Sequence, residues 1–92
     1  MSNVKLIGRV LSVLSDDTRI KIARYVQKNK KVRFKELRTK LNLNSNTLRF
    51  HLRKLQDAKI IVQPKKRGAY LMGKLGNITL TFYDELKVKI TR

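Results

Sequence analysis

The segment from Asn44 to Ala58 constrains this chain more than any other. Leu48, Leu52 and Leu55 recur at helical spacing with His51 beside them, so one side of a helix is committed to a core. Asn46, Arg49, Phe50 and Arg53 recur at the same spacing on the opposite side, which leaves an outward face rich in hydrogen-bond donors. Asn44 stands at the start, a residue type that caps helix N-termini. A shorter helical pattern precedes it over residues 35–41, with Leu37 and Leu41 on one face. Between the two, Asn42-Leu43-Asn44 makes a tight turn, because asparagine tolerates left-handed backbone.

Two short helices meeting at such a turn make a helix-turn-helix over residues 35–58. The next residues along the chain sharpen the pattern. Ile60 to Gln63 is a strand, Pro64-Lys65-Lys66-Arg67-Gly68 a basic turn, and Ala69 to Met72 a returning strand. The spacing predicts a β-hairpin wing over residues 60–73 with three consecutive cations at its tip.

The flanks are apolar. Val4, Ile7, Leu11 and Leu14 form a helical stripe that Leu6, Val10 and Val13 widen to more than half the circumference. A one-layer domain cannot bury all of that. Residues 1–14 are therefore expected to form a dimerisation helix with Val4, Ile7, Val10, Leu11 and Leu14 at the interface, the alternative being a core helix lying across the second. Ser15-Asp16-Asp17 supplies capping oxygens and negative charge for a helix over Asp17–Lys28, with Ile20, Ile22, Ala23 and Val26 inward. Asn29-Lys30-Lys31 ends it, and alternation at Val32 and Phe34 predicts a very short strand or an extended entry to the next helix. In the C-terminal extension, 77–91, apolar residues fit either period. Their β-branched and aromatic character favours strands turning at Tyr83-Asp84-Glu85, with Phe82 opposite Leu86 and Leu80 opposite Val88, while a helix stays open.

Charge narrows the function. Lys and Arg total 23 against 6 Asp and Glu, a formal charge of +17 on 92 residues. Such an excess opposes compaction and implies a polyanionic partner, with nucleic acid first and an anionic membrane surface second. No apolar stretch approaches the ~20 residues that span a bilayer, and the start does not read as a secretory signal. Cysteine is absent and His51 is the one histidine, which removes thiolate and histidine-dominated metal sites. The acids are Asp16, Asp17, Glu36, Asp57, Asp84 and Glu85, and neighbours in sequence project apart rather than converge as catalytic carboxylates must. Gly8, Gly68, Gly73 and Gly76 are too scattered for a phosphate loop. No enzyme, cofactor or metal is expected.

Residues 14–70 resemble the ArsR-like group of winged helix-turn-helix transcriptional regulators. The likeness is carried by Leu14-Ser15-Asp16-Asp17-Thr18-Arg19-Ile20-Lys21-Ile22, by Phe34-Lys35-Glu36-Leu37 and by Leu41-Asn42-Leu43-Asn44. Above all it rests on Thr47 to Ile61, which is similar to that group's recognition helix and the turn that closes it. The resemblance implies a dimeric regulator of bacteria or archaea held together through terminal elements. Two departures stand out. Lys59 occupies a place where the group generally has glycine, which implies strain or a different helix exit. Glu36-Leu37-Arg38-Thr39 replaces the cysteine motif of the metal-sensing branch, so the resemblance is to a member without that sensor.

The expected fold is α+β, mainly α: one winged helix-turn-helix domain over residues 1–92 with an N-terminal helix, a three-helix core, a β-hairpin wing and C-terminal strands or helix. The expected function is that of a sequence-preferring, double-stranded DNA-binding transcriptional regulator, a homodimeric repressor in the cytoplasm, associated with the nucleoid. Helix 44–58 would enter the major groove, where Asn46, Arg49 and Arg53 read bases while Ser45, Thr47 and Lys54 complete its DNA-binding face. Phe50 would touch a thymine methyl or pack on the wing or a second subunit. Lys65, Lys66 and Arg67 in the turn 64–68 would lie on phosphates or in the minor groove, with Arg33, Lys35 and Arg38 as backbone clamps. Asn44 is expected to be an N-cap, and His51 a partly buried, hydrogen-bonded residue. The alternatives are an architectural, chromatin-like DNA-coating protein or a winged-helix RNA- or protein-interaction module.

Overall fold

The computed structural model describes residues 3–91. The first two residues of the segment 1–14, and Arg92 at the other end, lie outside the described residues. The order is α1 (Val4–Leu14), α2 (Asp17–Asn29), α3 (Phe34–Lys40), α4 (Ser45–Asp57), β1 (Ile61–Val62), β2 (Leu71–Met72) and α5 (Gly76–Thr91).

Each helix start has a local cause. Asp16 is extended, and its carboxylate accepts hydrogen bonds from the backbone N–H groups of Thr18 at 2.8 Å and Arg19 at 3.1 Å, which starts α2. Asn44 does the same for α4, its side-chain oxygen accepting from the Thr47 N–H at 3.0 Å. Asn42 carries the left-handed backbone of the turn between α3 and α4 (φ 52°), and the Leu43 N–H donates to the Arg38 carbonyl at 3.0 Å to close it.

The core lies where α2 and α4 meet. Ile22, Ala23 and Val26 of α2 are fully buried, as are Leu48 and Leu55 of α4, Leu37 of α3, and Ile60 beyond the α4 exit. At that exit Lys59 takes a left-handed conformation (φ 63°), so a side-chain-bearing residue occupies the position where glycine is least strained.

The wing strands are shorter than 60–63 and 69–72. Ile61 pairs with Met72 and Val62 with Leu71, and beyond them one further backbone bond crosses the hairpin, from the Gly73 N–H to the Ile60 carbonyl at 2.7 Å. The reason lies in competing partners. The Ile60 N–H donates to the Leu55 carbonyl, and the Gln63 side chain donates to the Gly68 carbonyl at 2.9 Å. Tyr70 turns instead to Val32, with the two exchanging N–H to O bonds of 3.1 and 2.7 Å. The bridge is a single residue pair and not a strand, because Phe34, expected to alternate with Val32, already begins α3; it fastens the wing to the loop between α2 and α3.

The tail corrects the preferred sequence reading. It is the helix α5, not a hairpin, and the cross-strand pairs of Phe82 with Leu86 and Leu80 with Val88 do not exist. Two facts decide against strands. Gly76 abuts the Ile60 carbonyl so closely that a methyl there would lie 2.5 Å from its oxygen, which seats the start of α5 on the core. Gly76, Thr79 and Leu80 are then buried and Tyr83 packs on the core behind them, a period of 3.6 that a strand cannot deliver. Among the described residues, no helix is long and apolar enough to cross a membrane.

Candidate nucleic-acid interface

The leucine stripe anchors α4 and thereby turns its other side outward. Asn46, Thr47, Arg49, Phe50, Arg53 and Lys54 are all exposed, while Ser45 in the first turn is half-buried. Arg49 donates to the Asn46 side-chain oxygen at 3.4 Å, and its guanidinium lies over the Phe34 ring, 5.2 Å from the centroid. The hydrogen bond is at the limit of length, so both groups remain available to a stronger acceptor. Phe50 is half exposed, edge-on to His51 at 5.5 Å and with the Lys54 ammonium 5.5 Å from its ring.

The cations of the wing stand beside this helix system through the Val32–Tyr70 bridge. Lys65, Lys66 and Arg67 are exposed, and the Gly68 N–H closes the turn on the Lys65 carbonyl at 2.8 Å. Arg67, not glycine, takes the left-handed position (φ 62°). Gly68 is needed for a different reason, because a Cβ there would press on the Lys65 carbonyl oxygen at 3.0 Å. Arg33 and Lys65 line one shallow cleft with Lys31, and Lys35 shares a neighbouring cleft with Arg33. Arg38 is exposed on α3 and lines neither.

These positive groups are not neutralised from within. Arg24 with Asp84 is the one ion pair among the described residues, and it lies between α2 and α5, away from the α4 face. Asp57 at the end of α4 makes no ion pair among the described residues, and Glu36 of α3 is occupied elsewhere. Its carboxylate accepts from the Tyr25 hydroxyl at 2.7 Å, holding α3 to α2, and that bond pushes the Tyr25 phenol above its ordinary value. Among the described residues no group of three histidines, cysteines or carboxylates gathers to hold a metal ion.

Behind the exposed face lies a residue that the sequence reading overlooked. Arg19 of α2 is buried, donating through one terminal nitrogen to the Ser12 carbonyl of α1 at 3.1 Å and sharing a 3.2 Å hydrogen bond with His51 Nδ1 of α4. Its Nε is buried without a partner. A signal existed: Arg19, Ile22, Ala23 and Val26 follow i, i+3, i+4, i+7, the spacing of an inner face. His51 is buried and hydrogen-bonded as expected.

The described residues form a mainly helical fold of five helices with a small antiparallel sheet, holding two short helices at a tight turn, which is compatible with a winged helix-turn-helix. The comparison with known families agrees at the level of the motif. A profile described as a helix-turn-helix domain matches residues 14–64, more than half of the chain, and the chain belongs to that family. Membership marks it as a DNA-binding regulator of a typically non-enzymatic kind. No curated protein matches the sequence.

Proposed function

We propose that this protein is an ArsR-like, sequence-preferring regulator of transcription that binds double-stranded DNA as a homodimer and represses by occupying promoters, in a bacterial or archaeal cytoplasm. The observation that carries the reading is the outward face of α4, where Asn46, Arg49 and Arg53 stand exposed and free of carboxylate partners among the described residues. Arginine bonds guanine O6 and N7 bidentately and asparagine pairs with adenine, so these three are assigned to base edges in the major groove. Ser45, Thr47 and Lys54 are assigned to phosphates of the same groove, and Phe50 to a thymine methyl. Lys65, Lys66 and Arg67 take phosphates or the flanking minor groove, and Arg33, Lys35 and Arg38 the backbone between.

The dimer reading draws on α1 and α5 together. Ile7 and Leu11 of α1 and Ile78 and Phe82 of α5 are about half exposed or more, and Val10 and Leu14 lie beneath them in an almost wholly apolar groove of about 280 Å³. Val4 extends the α1 side of this surface and is 70% exposed. A second copy related by a two-fold axis would cover it and set two α4 helices ~34 Å apart, one turn of duplex.

Selection of bound sequences from a random duplex pool tests the proposal, followed by affinity measurements on the selected and random duplexes at one salt concentration. A regulator gains about 10³-fold or more on its own site. A second reading is favoured by one observation, the exposed lysines away from this face, such as Lys21, Lys28, Lys87 and Lys89. It makes the protein an architectural DNA-coating factor, and equal affinity for both duplexes would establish it in place of the first.

A further inference from the structure

A cleft of about 580 Å³ between α2 and α5 lies apart from the outward face of α4 and has no role in the sequence-reading regulator proposed above. Its origin is a helix period. Asp17, Lys21, Arg24 and Lys28 follow i, i+4, i+7, i+11, so α2 turns a cationic stripe away from the side that carries Ile22, Ala23 and Val26 into the core. On α5, Tyr83, Asp84 and Lys87 face this stripe. The floor between them is apolar: Ile20, Tyr25, Leu41 and Tyr83.

Charge and shape then define an occupant. Arg24 and Asp84 neutralise each other across the cleft. Lys21, Lys28 and Lys87 make no ion pair among the described residues and are opposed by Asp17 alone. Two tyrosine rings and two aliphatic side chains below a cationic rim suit a flat hydrocarbon body that ends in a negative group. A duplex backbone is a poorer fit, because it offers no apolar surface to that floor. The volume lies within the range of small-molecule sites, roughly 300–1,000 Å³. Leu41 closes α3 at the start of the turn into α4, so an occupant would touch the helix-turn-helix itself.

We propose that the α2–α5 cleft is a binding site for a small aromatic carboxylate, its ring on Tyr25, Tyr83 and Leu41 and its carboxylate among Lys21, Lys28 and Lys87. Binding at this site does not depend on the DNA reading and is measured on the free protein.

The test is a titration of the full chain with 2-naphthoate, followed by backbone amide shifts. Parallel titrations use 2-naphthylmethanol, the neutral counterpart, and inorganic phosphate, the charge without the ring. Saturable one-to-one binding is expected, with shifts concentrated in residues 17–28 and 83–87. Lys21→Gln with Lys28→Gln should weaken it about tenfold, the size of one lost charge-assisted contact. Lys5→Gln with Arg9→Gln removes the same charge from α1 and should leave it unchanged. Absence of saturation would overturn the proposal. So would binding of the alcohol or of phosphate as tight as that of naphthoate, or equal losses in the two double variants.

Discussion

Arg19 and His51 join α2 to α4 inside the protein, 3.2 Å apart, and the arginine fixes the state of the histidine. A guanidinium only donates, so Nδ1 of His51 must accept and the ring is neutral with its proton on Nε2. Burial first, and the Arg19 charge with it, hold the imidazole below its ordinary value of 6.5, with Asp16 pulling the other way. The unfolded chain takes up a proton near that value while the folded chain waits until a lower pH. The stabilisation is therefore complete above about pH 6.5 and declines as pH falls through the window down to the folded value. Urea midpoints measured from pH 8 to pH 5 should show this decline. His51→Asn, which keeps an acceptor near the Nδ1 position and does not titrate, should flatten it.

Asp16 extends the acid side of that profile. Burial works to raise its carboxyl, but the Arg19 N–H, the Arg19 charge, the charge that His51 gains once it is protonated at low pH, and the Thr18 N–H together outweigh burial and hold it below 3.8. Its contribution is present above that value and is lost as pH falls through the folded one. Asp16→Ala should cost about 1 kcal/mol at neutral pH, the typical worth of an N-cap, and remove the loss of stability seen only at the lowest pH.

The outward face of α4 and the wing should fail in different ways. Arg49→Ala or Arg53→Ala should cost about 1–3 kcal/mol on the selected duplex and relax the base preference. Lys66→Ala should weaken all duplexes alike and lower the slope of log K against log salt by about 1. Equal losses on selected and random DNA for both kinds of variant would remove the base-reading assignment.

Lys59 offers a test of backbone strain. Glycine relieves its left-handed conformation but adds freedom to the unfolded chain, so Lys59→Gly should stabilise by about 0.5–1 kcal/mol net. Thermal or urea unfolding measures it directly, and Lys59→Ala should give no such gain.

The apolar groove predicts an association state. Ile7→Glu with Ile78→Glu puts carboxylates on two side chains that are 56% and 68% exposed, so the fold should survive. On the proposed dimer, sedimentation equilibrium should give a dimer for the parent chain and a monomer for this variant, and affinity for the selected duplex should fall with it.

The legible parts of this molecule are those where one periodicity dominates. Leu48, Leu52 and Leu55 commit α4 to one orientation, and the exposure of Asn46, Arg49 and Arg53 stems from helix geometry alone. Capping was equally readable, since Asp16 and Asn44 each serve N–H groups within their own turn. The tail was not. Ile78, Phe82, Leu86 and Ile90 suit either period, and what decides is tertiary: Gly76 against the Ile60 carbonyl and Leu80 in the core. The wing shrank for a similar reason, because Tyr70 has a better partner in Val32 than in its own hairpin. Arg19 escaped notice because a cation is read as solvated unless its partner, here 32 positions away, is already in view.

Gly73 and Gly76 both press on the Lys59–Ile60 backbone, so the C-terminal arm and α4 share one closely packed corner. In the proposed dimer that corner acts as a gauge block. It sets the phase between half-sites along the duplex, and an operator with another spacing would need the corner rebuilt, since no slack linker is there to stretch.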